Sequence, residues 1–223
     1  MRLLKFLTLV VLLVLAAFSA AQASTYSQAL NLNGDGGPYS YPNQQIADAF
    51  QLAAPATLST LSWYGDNFAL SFPPTVAFTI NLYADAGGLP ASSPFSSQSV
   101  TASAVDTGLS EGDCCSAKAE IFLFNATLPS GVGLSAGTTY WLSVVDVSAS
   151  NNIFRWANGT SAWGGDFGNA WGVPGSWGNL TGLRAQSAYD LNPTSAVPEP
   201  ASFALLGSGI VGLAGVLRRK INR

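Results

Sequence analysis

An antiparallel β-sandwich is the fold that this 223-residue sequence predicts, and three observations predict it. Apolar residues recur with period two in several short runs, clusters of Gly, Pro, Asn and Asp separate those runs, and no long stretch carries the periodicity of an amphipathic helix. Eight or so short strands punctuated in this way suit an all-β domain of two packed antiparallel layers. A jelly roll closed by Greek-key connections is the expected form.

At the N-terminus, Arg2 and Lys5 precede a run over residues 6–18 that is apolar except for Thr8, followed by Ala21-Gln22-Ala23. A basic start, a short apolar stretch and small residues at Ala21 and Ala23 are the pattern of a secretory signal peptide. It passes the secretion translocon and is cut by signal peptidase before Ser24. The apolar run is shorter than the roughly 20 residues a spanning helix needs. Next comes a loop, Asn33-Gly34-Asp35-Gly36-Gly37-Pro38, which resembles a calcium loop in composition alone, with Asp35 its sole carboxylate; no metal is expected there.

Strand candidates follow in order. Residues 46–52 and 58–64 come first, and Pro73-Pro74 closes the second. Val76, Phe78, Ile80 and Leu82 then alternate with Ala77, Thr79, Asn81 and Tyr83, which predicts a strand with one strongly apolar face. A Gly-Gly turn at 85–90 leads to candidates at 98–103, 120–125 and 138–147, the last with both faces partly apolar. Residues 153–157 and 183–189 complete the set. Sequons at Asn125, Asn158 and Asn179 mark expected surface positions.

Removing both ends leaves one domain, 24–190, and a linker, 191–197. Between Ser24 and Val197 there are eleven acids against three bases, Lys118, Arg155 and Arg184, a net charge of −8. Phosphate binding needs clustered positive charge, so a nucleic-acid partner is excluded. The chain has no histidine, which removes His-based triads, His metal ligands and imidazole acid–base chemistry. Carboxylate chemistry of the glycosidase type remains open. No cofactor is called for.

The only cysteines are neighbours, Cys114 and Cys115, within a turn-like segment. An oxidising compartment favours pairing, yet a disulfide prefers a Cα separation of about 4.4–6.8 Å, more than the roughly 3.8 Å across a trans peptide. A strained vicinal disulfide, two free thiols and an intermolecular link stay open. No metal-type CxxC spacing is present.

Four of the six tryptophans, Trp156, Trp163, Trp171 and Trp177, fall in one Gly-rich segment over 154–177. Two readings fit. The rings pin a long irregular connection onto the sandwich, or they present flat faces on which sugar rings stack while Asp166 and nearby amides take the hydroxyls.

At the other end, Val197-Pro198-Glu199-Pro200 precedes an apolar stretch over 201–217 and then Arg218, Arg219, Lys220 and Arg223. Seventeen residues at about 1.5 Å each approach the lower limit for a membrane core of about 30 Å, and trailing positive charge holds that end in the cytoplasm. One transmembrane helix is expected. The two prolines keep the preceding segment extended, as suits a peptide entering a protease cleft.

In all three parts, residues 198–223 resemble the PEP-CTERM sorting signal of Gram-negative bacteria. The resemblance implies that an exosortase, a membrane-embedded cysteine protease-transpeptidase, recognises Pro198, Glu199 and Pro200 and removes the helix. It further implies an association with exopolysaccharide and biofilm. Residues 46–52, then Leu61-Ser62-Trp63-Tyr64-Gly65, then 78–90 are similar to the first half of a widespread bacterial secreted β-sandwich, although the second acid usual after Asp48 is here Ala49. That similarity speaks for the sandwich and assigns no chemistry. The expected function is therefore a non-enzymatic surface or matrix component, held in the membrane before processing. A glycan-binding module working through the Trp-rich segment is the alternative, and a carboxylate-dependent glycosidase is third.

Overall fold

The computed structural model describes residues 26–32, 39–40, 42–67, 72–112, 118–148, 154–160, 170–173, 176–179 and 186–195. The signal segment, the 33–38 loop, Cys114, Cys115 and everything after Ser195 lie outside them. Within the chain, Ala23–Thr194 form one compact unit. Among the described residues no helix is long and apolar enough to cross a membrane.

The main strands are β1 (Tyr26–Gln28), β2 (Gln45–Phe50), β3 (Ala56–Asp66), β4 (Thr75–Ala84), β5 (Ser96–Gly112), β6 (Lys118–Leu134) and β7 (Tyr140–Asp146). Short strands follow: β8 (Arg155–Trp156), β9 (Asn158–Gly159), β10 (Ala170–Val173), β11 (Ser176–Asn179), β12 (Gln186–Ser187) and β13 (Tyr189–Ser195). All pairings between named strands for which a register is defined are antiparallel. The large sheet runs β1-β13-β3-β6-β5-β4-β7-β2-β10-β11, with β8 also on β3. Inside that order β4, β5 and β6 are sequential neighbours and β7 returns to lie beside β4, which is a Greek key. The all-β, sandwich-like expectation holds. A jelly roll, two Greek keys in two sheets, is a finer arrangement that this continuous order does not establish.

The alternation read from β4 is the one the fold uses. Val76, Phe78, Ile80 and Leu82 point into the main core, and Tyr83 belongs to a second cluster on the opposite face. The expectation of a strand covered on both faces is met by β7, whose Leu142 and Val144 face the main core while Trp141 faces the second cluster. Two strands are much longer than the sequence suggested, 17 residues each for β5 and β6. They stay paired because a bulge absorbs Asp106-Thr107-Gly108. Register shifts between Asp106 and Leu109, Gly108 takes φ 68°, and its N–H donates to Asp106 Oδ1 at 2.8 Å.

At the centre, aromatic rings pack edge to face, except for Trp63 and Phe124, which stack. Trp63 meets Phe78 at 5.0 Å and Phe124 at 5.7 Å, and Phe154 meets Phe78 at 5.2 Å. Such pairs contribute about 0.5–1.5 kcal/mol each beyond their burial. Next to Phe154, Arg155 is held by a buried ion pair, its Nε 2.8 Å and its Nη2 2.7 Å from Asp66 Oδ1, with Tyr39 stacked 6.0 Å away. This close approach of β8 to β3 requires a residue without a side chain at Gly65. A Cβ there would lie 2.1 Å from the Phe154 ring and 2.6 Å from the Arg155 carbonyl oxygen.

β13 continues to Ser195, so residues 191–195, expected as linker, extend a strand of the sheet instead. The alternation Tyr189, Leu191 supplies the reason: both side chains are buried in the core.

Gly65→Ala is expected to cost about 1–3 kcal/mol, as overpacking of a filled core does. That lowers the thermal midpoint by several degrees. Gly133→Ala adds a methyl that meets nothing within 4 Å and should leave the midpoint unchanged. Differential scanning calorimetry of both variants reads the contrast.

Candidate functional site

The outward face of β2, β4 and β7 is where the tryptophan-rich segment returns to the sheet. Ala47, Ala49, Tyr83 and Trp141 form a small apolar cluster there, and Leu89 and Trp177 pack on it. Small residues on β2 leave room for the large rings of its neighbours. The β10–β11 hairpin extends the sheet beyond β2, pairing Ala170 with Ala47 and Gly172 with Gln45. It delivers Trp177 edge-on to Tyr83 at 5.2 Å, with the Trp177 Nε1–H donating to the Ala91 carbonyl at 3.2 Å. Trp141 is fixed from the other side, its indole N–H donating to Asp85 Oδ1 at 3.0 Å. Asp85 also accepts the Gly88 N–H, which closes the tight turn after β4.

The sequence-named tryptophans therefore part company. Trp156 is fully buried in the main core and its N–H donates to the Ala188 carbonyl at 3.1 Å. It presents no face to a sugar, a correction to the stacking-platform reading. Trp177 is half-buried and packs on the sheet with its N–H satisfied, as the pinning reading requires. Trp171 is placed by its backbone in β10, opposite Ile46. Trp163 and Asp166 lie outside the described residues. So do the vicinal cysteines, the cleavage residues Ala21, Ala23 and Ser24, the Val197 to Pro200 motif and the basic cluster Arg218, Arg219, Lys220 and Arg223.

A second polar group, not marked by the sequence beyond Asp48 itself, sits in the interior. Between Ile46 and Phe50 of β2, the alternation turns Asp48 inward, where it is fully buried. Its Oδ2 accepts the Ser187 backbone N–H at 2.6 Å. Around it, Gln28 Nε2 donates to the Tyr26 hydroxyl at 2.7 Å, and the Tyr26 ring stacks on Tyr189 at 5.6 Å. Strands β1, β2, β12 and β13 thus meet through one polar knot. Burial pushes the Asp48 carboxyl up to about 7, and the Ser187 N–H, which favours the charged form, offsets only part of this. Burial, with the Asp48 carboxyl beside it, also holds the Tyr189 phenol well above its usual range. Sealed from solvent, Asp48 reaches no substrate. Its bond to the Ser187 N–H ties β2 to β12.

The sign of the pH dependence follows. Asp48 titrates near 3.8 when unfolded and near 7 when folded, so between those values the native state holds the extra proton. Stability from this group is full below about pH 4, falls as pH rises to about 7, and is flat above. The total is on the order of 4 kcal/mol at about 1.36 kcal/mol per unit. Asp48→Asn keeps the shape and removes the ionisation, so urea unfolding between pH 4 and 8 should show wild type and variant alike at the acid end and the variant more stable at the alkaline end. Equal slopes in both would overturn this reading. In contrast, Trp156→Ala should destabilise by about 3–5 kcal/mol at every pH, as removal of a buried indole does.

No curated protein matches the chain. Residues 196–220 match the PEP-CTERM protein-sorting motif, which covers the Val-Pro-Glu-Pro segment, the apolar stretch and the start of the basic cluster. The chain carries this motif, and the motif implies an exported bacterial protein that is anchored in a membrane and then processed by an exosortase.

Proposed function

We propose that the protein is a non-enzymatic component of the cell surface or extracellular matrix of a Gram-negative bacterium, associated with exopolysaccharide. The observation that carries this reading is the sorting motif at 196–220, directly after the last strand of a compact, strongly acidic β-domain. In this scheme the translocon exports the chain, signal peptidase cuts before Ser24, and the apolar helix over 201–217 stops in the inner membrane. Arg218, Arg219, Lys220 and Arg223 hold its end in the cytoplasm. Exosortase then reads Pro198, Glu199 and Pro200, and the acidic domain passes to the outer surface or matrix. A domain that carries −8 stays soluble and disperses among neutral polymers without binding nucleic acid.

Among the described residues, Asp48, Asp66 and Asp146 are buried and Asp85 is engaged by Trp141 and Gly88, which does not support these four as the carboxylates of a glycosidase. The glycan-binding alternative no longer rests on Trp156, which is enclosed in the core.

Mass spectrometry of protein recovered from envelope and medium, in cells with and without the exosortase, tests the sorting. The expected outcome is loss of the segment after Pro200 only when the enzyme is present, and retention of it in a Glu199→Ala variant. An intact C-terminal segment in both strains would make the protein a simple membrane-anchored one and remove the matrix association.

A further inference from the structure

On the outward face of the sheet, beside the cluster that Trp177 covers, the strands leave a groove of about 300 Å³. Its origin is a row of short side chains. Asn81 on β4 pairs with Ser97 on β5 and with Ser143 on β7, while the rows on either side carry Tyr83 opposite Trp141 and Thr79 opposite Val145. The face dips along the Asn81 row, beside the bulky Tyr83–Trp141 row. Pro42 and Pro94 add rigid apolar walls.

Polar side chains line this dip. The Asn81 side chain is 5% exposed, lines the groove, and makes no hydrogen bond among the described residues. Beside it, Gln45 lines the groove with its Oε1 accepting the Tyr83 hydroxyl at 3.3 Å. A polar side chain as buried as Asn81 is costly to leave unbonded. None of the lining residues is an acid or a base, so nothing there answers a charged ligand.

We infer that the groove is a binding site for a neutral, hydroxyl-rich ligand, a hexopyranose unit of a polysaccharide. An amide offers both donor and acceptor, so Asn81 matches a hydroxyl that does the same and Gln45 adds a donor, while the apolar ring face lies on the walls of Pro42, Pro94 and Val147. The volume stands at the small end of ligand pockets, which suits one or two sugar units rather than a long chain. The biological setting of this site rests on the matrix reading above. Its chemistry does not.

The test is saturation-transfer NMR and calorimetric titration of the processed protein with cellobiose and maltose, with galacturonic acid as the charged control. Neutral disaccharides should bind and galacturonic acid should not. Asn81→Leu should weaken binding by about tenfold or more, the loss of one well-formed hydrogen-bonded pair. Ser97→Trp, an exposed rim position whose ring fills the groove, should abolish it with the thermal midpoint unchanged. Absence of binding to either disaccharide, or equal binding by wild type and both variants, overturns the site; a groove that holds only water gives the first of these results. Co-fractionation with the cells' own extracellular polysaccharide separates the two readings. Wild type and both variants co-fractionating alike, with no disaccharide bound by the wild type, leaves the matrix reading standing and overturns the groove. Groove-dependent sugar binding without co-fractionation supports the groove and removes the matrix reading.

Discussion

The aromatic centre is the constraint on which the rest of the sheet depends. Trp63, Phe78, Phe124 and Phe154 come from four separate parts of the chain and share one contact region, so β3, β4, β6 and the segment into β8 are positioned together or not at all. Edge-to-face geometry tolerates little displacement, and the absence of a side chain at Gly65 is what lets Phe154 come close enough to join. Once Phe154 is seated, Arg155 follows it into the interior, where pairing with Asp66 helps to make a buried guanidinium tolerable. The long β5 and β6 strands then wrap this centre, their bulge taking up the mismatch of curvature.

A second organising element is polar. Tyr26, Gln28, Asp48, Ser187 and Tyr189 gather contributions from the first strand and the last within the same interior. Hydrophobic contacts alone would hold β1 and β13 against the core without specifying register. The Ser187 N–H to Asp48 bond, and the stacking of Tyr26 on Tyr189, specify it. The cost is a carboxyl on β2 whose charged form is disfavoured.

On the outward face the same sheet does two different things a few residues apart. Where bulky rows are covered, by Trp177 over Tyr83 and Trp141, the surface is closed and every indole N–H there has a partner. One row further along, polar side chains line an open groove. Packing explains the first region completely, and a ligand gives the second its reason.

Much of this was legible beforehand, for reasons that are local. The alternation at Val76 to Tyr83 shows which face of β4 is buried, because side-chain direction in a strand depends on parity alone. The turn at Asp85 to Pro90 could be read from Gly87 and Gly88, both of which take positive φ. Export and sorting were legible for a stronger reason: those segments are read by other proteins as extended or apolar sequence, so their information never passes through a fold. The roles of Trp156 and Trp177 were not legible, since two indoles in one Gly-rich stretch look alike until β8 buries one and β10–β11 lays the other across Tyr83. Asp48 reads as an ordinary surface acid until β1, β12 and β13 close over it. The sequence by itself determined the strand faces and the address, because both depend on neighbours along the chain. Only the tertiary structure decided the buried carboxyl, the two fates of tryptophan and the groove at Asn81, because each is made by residues from strands far apart in the chain.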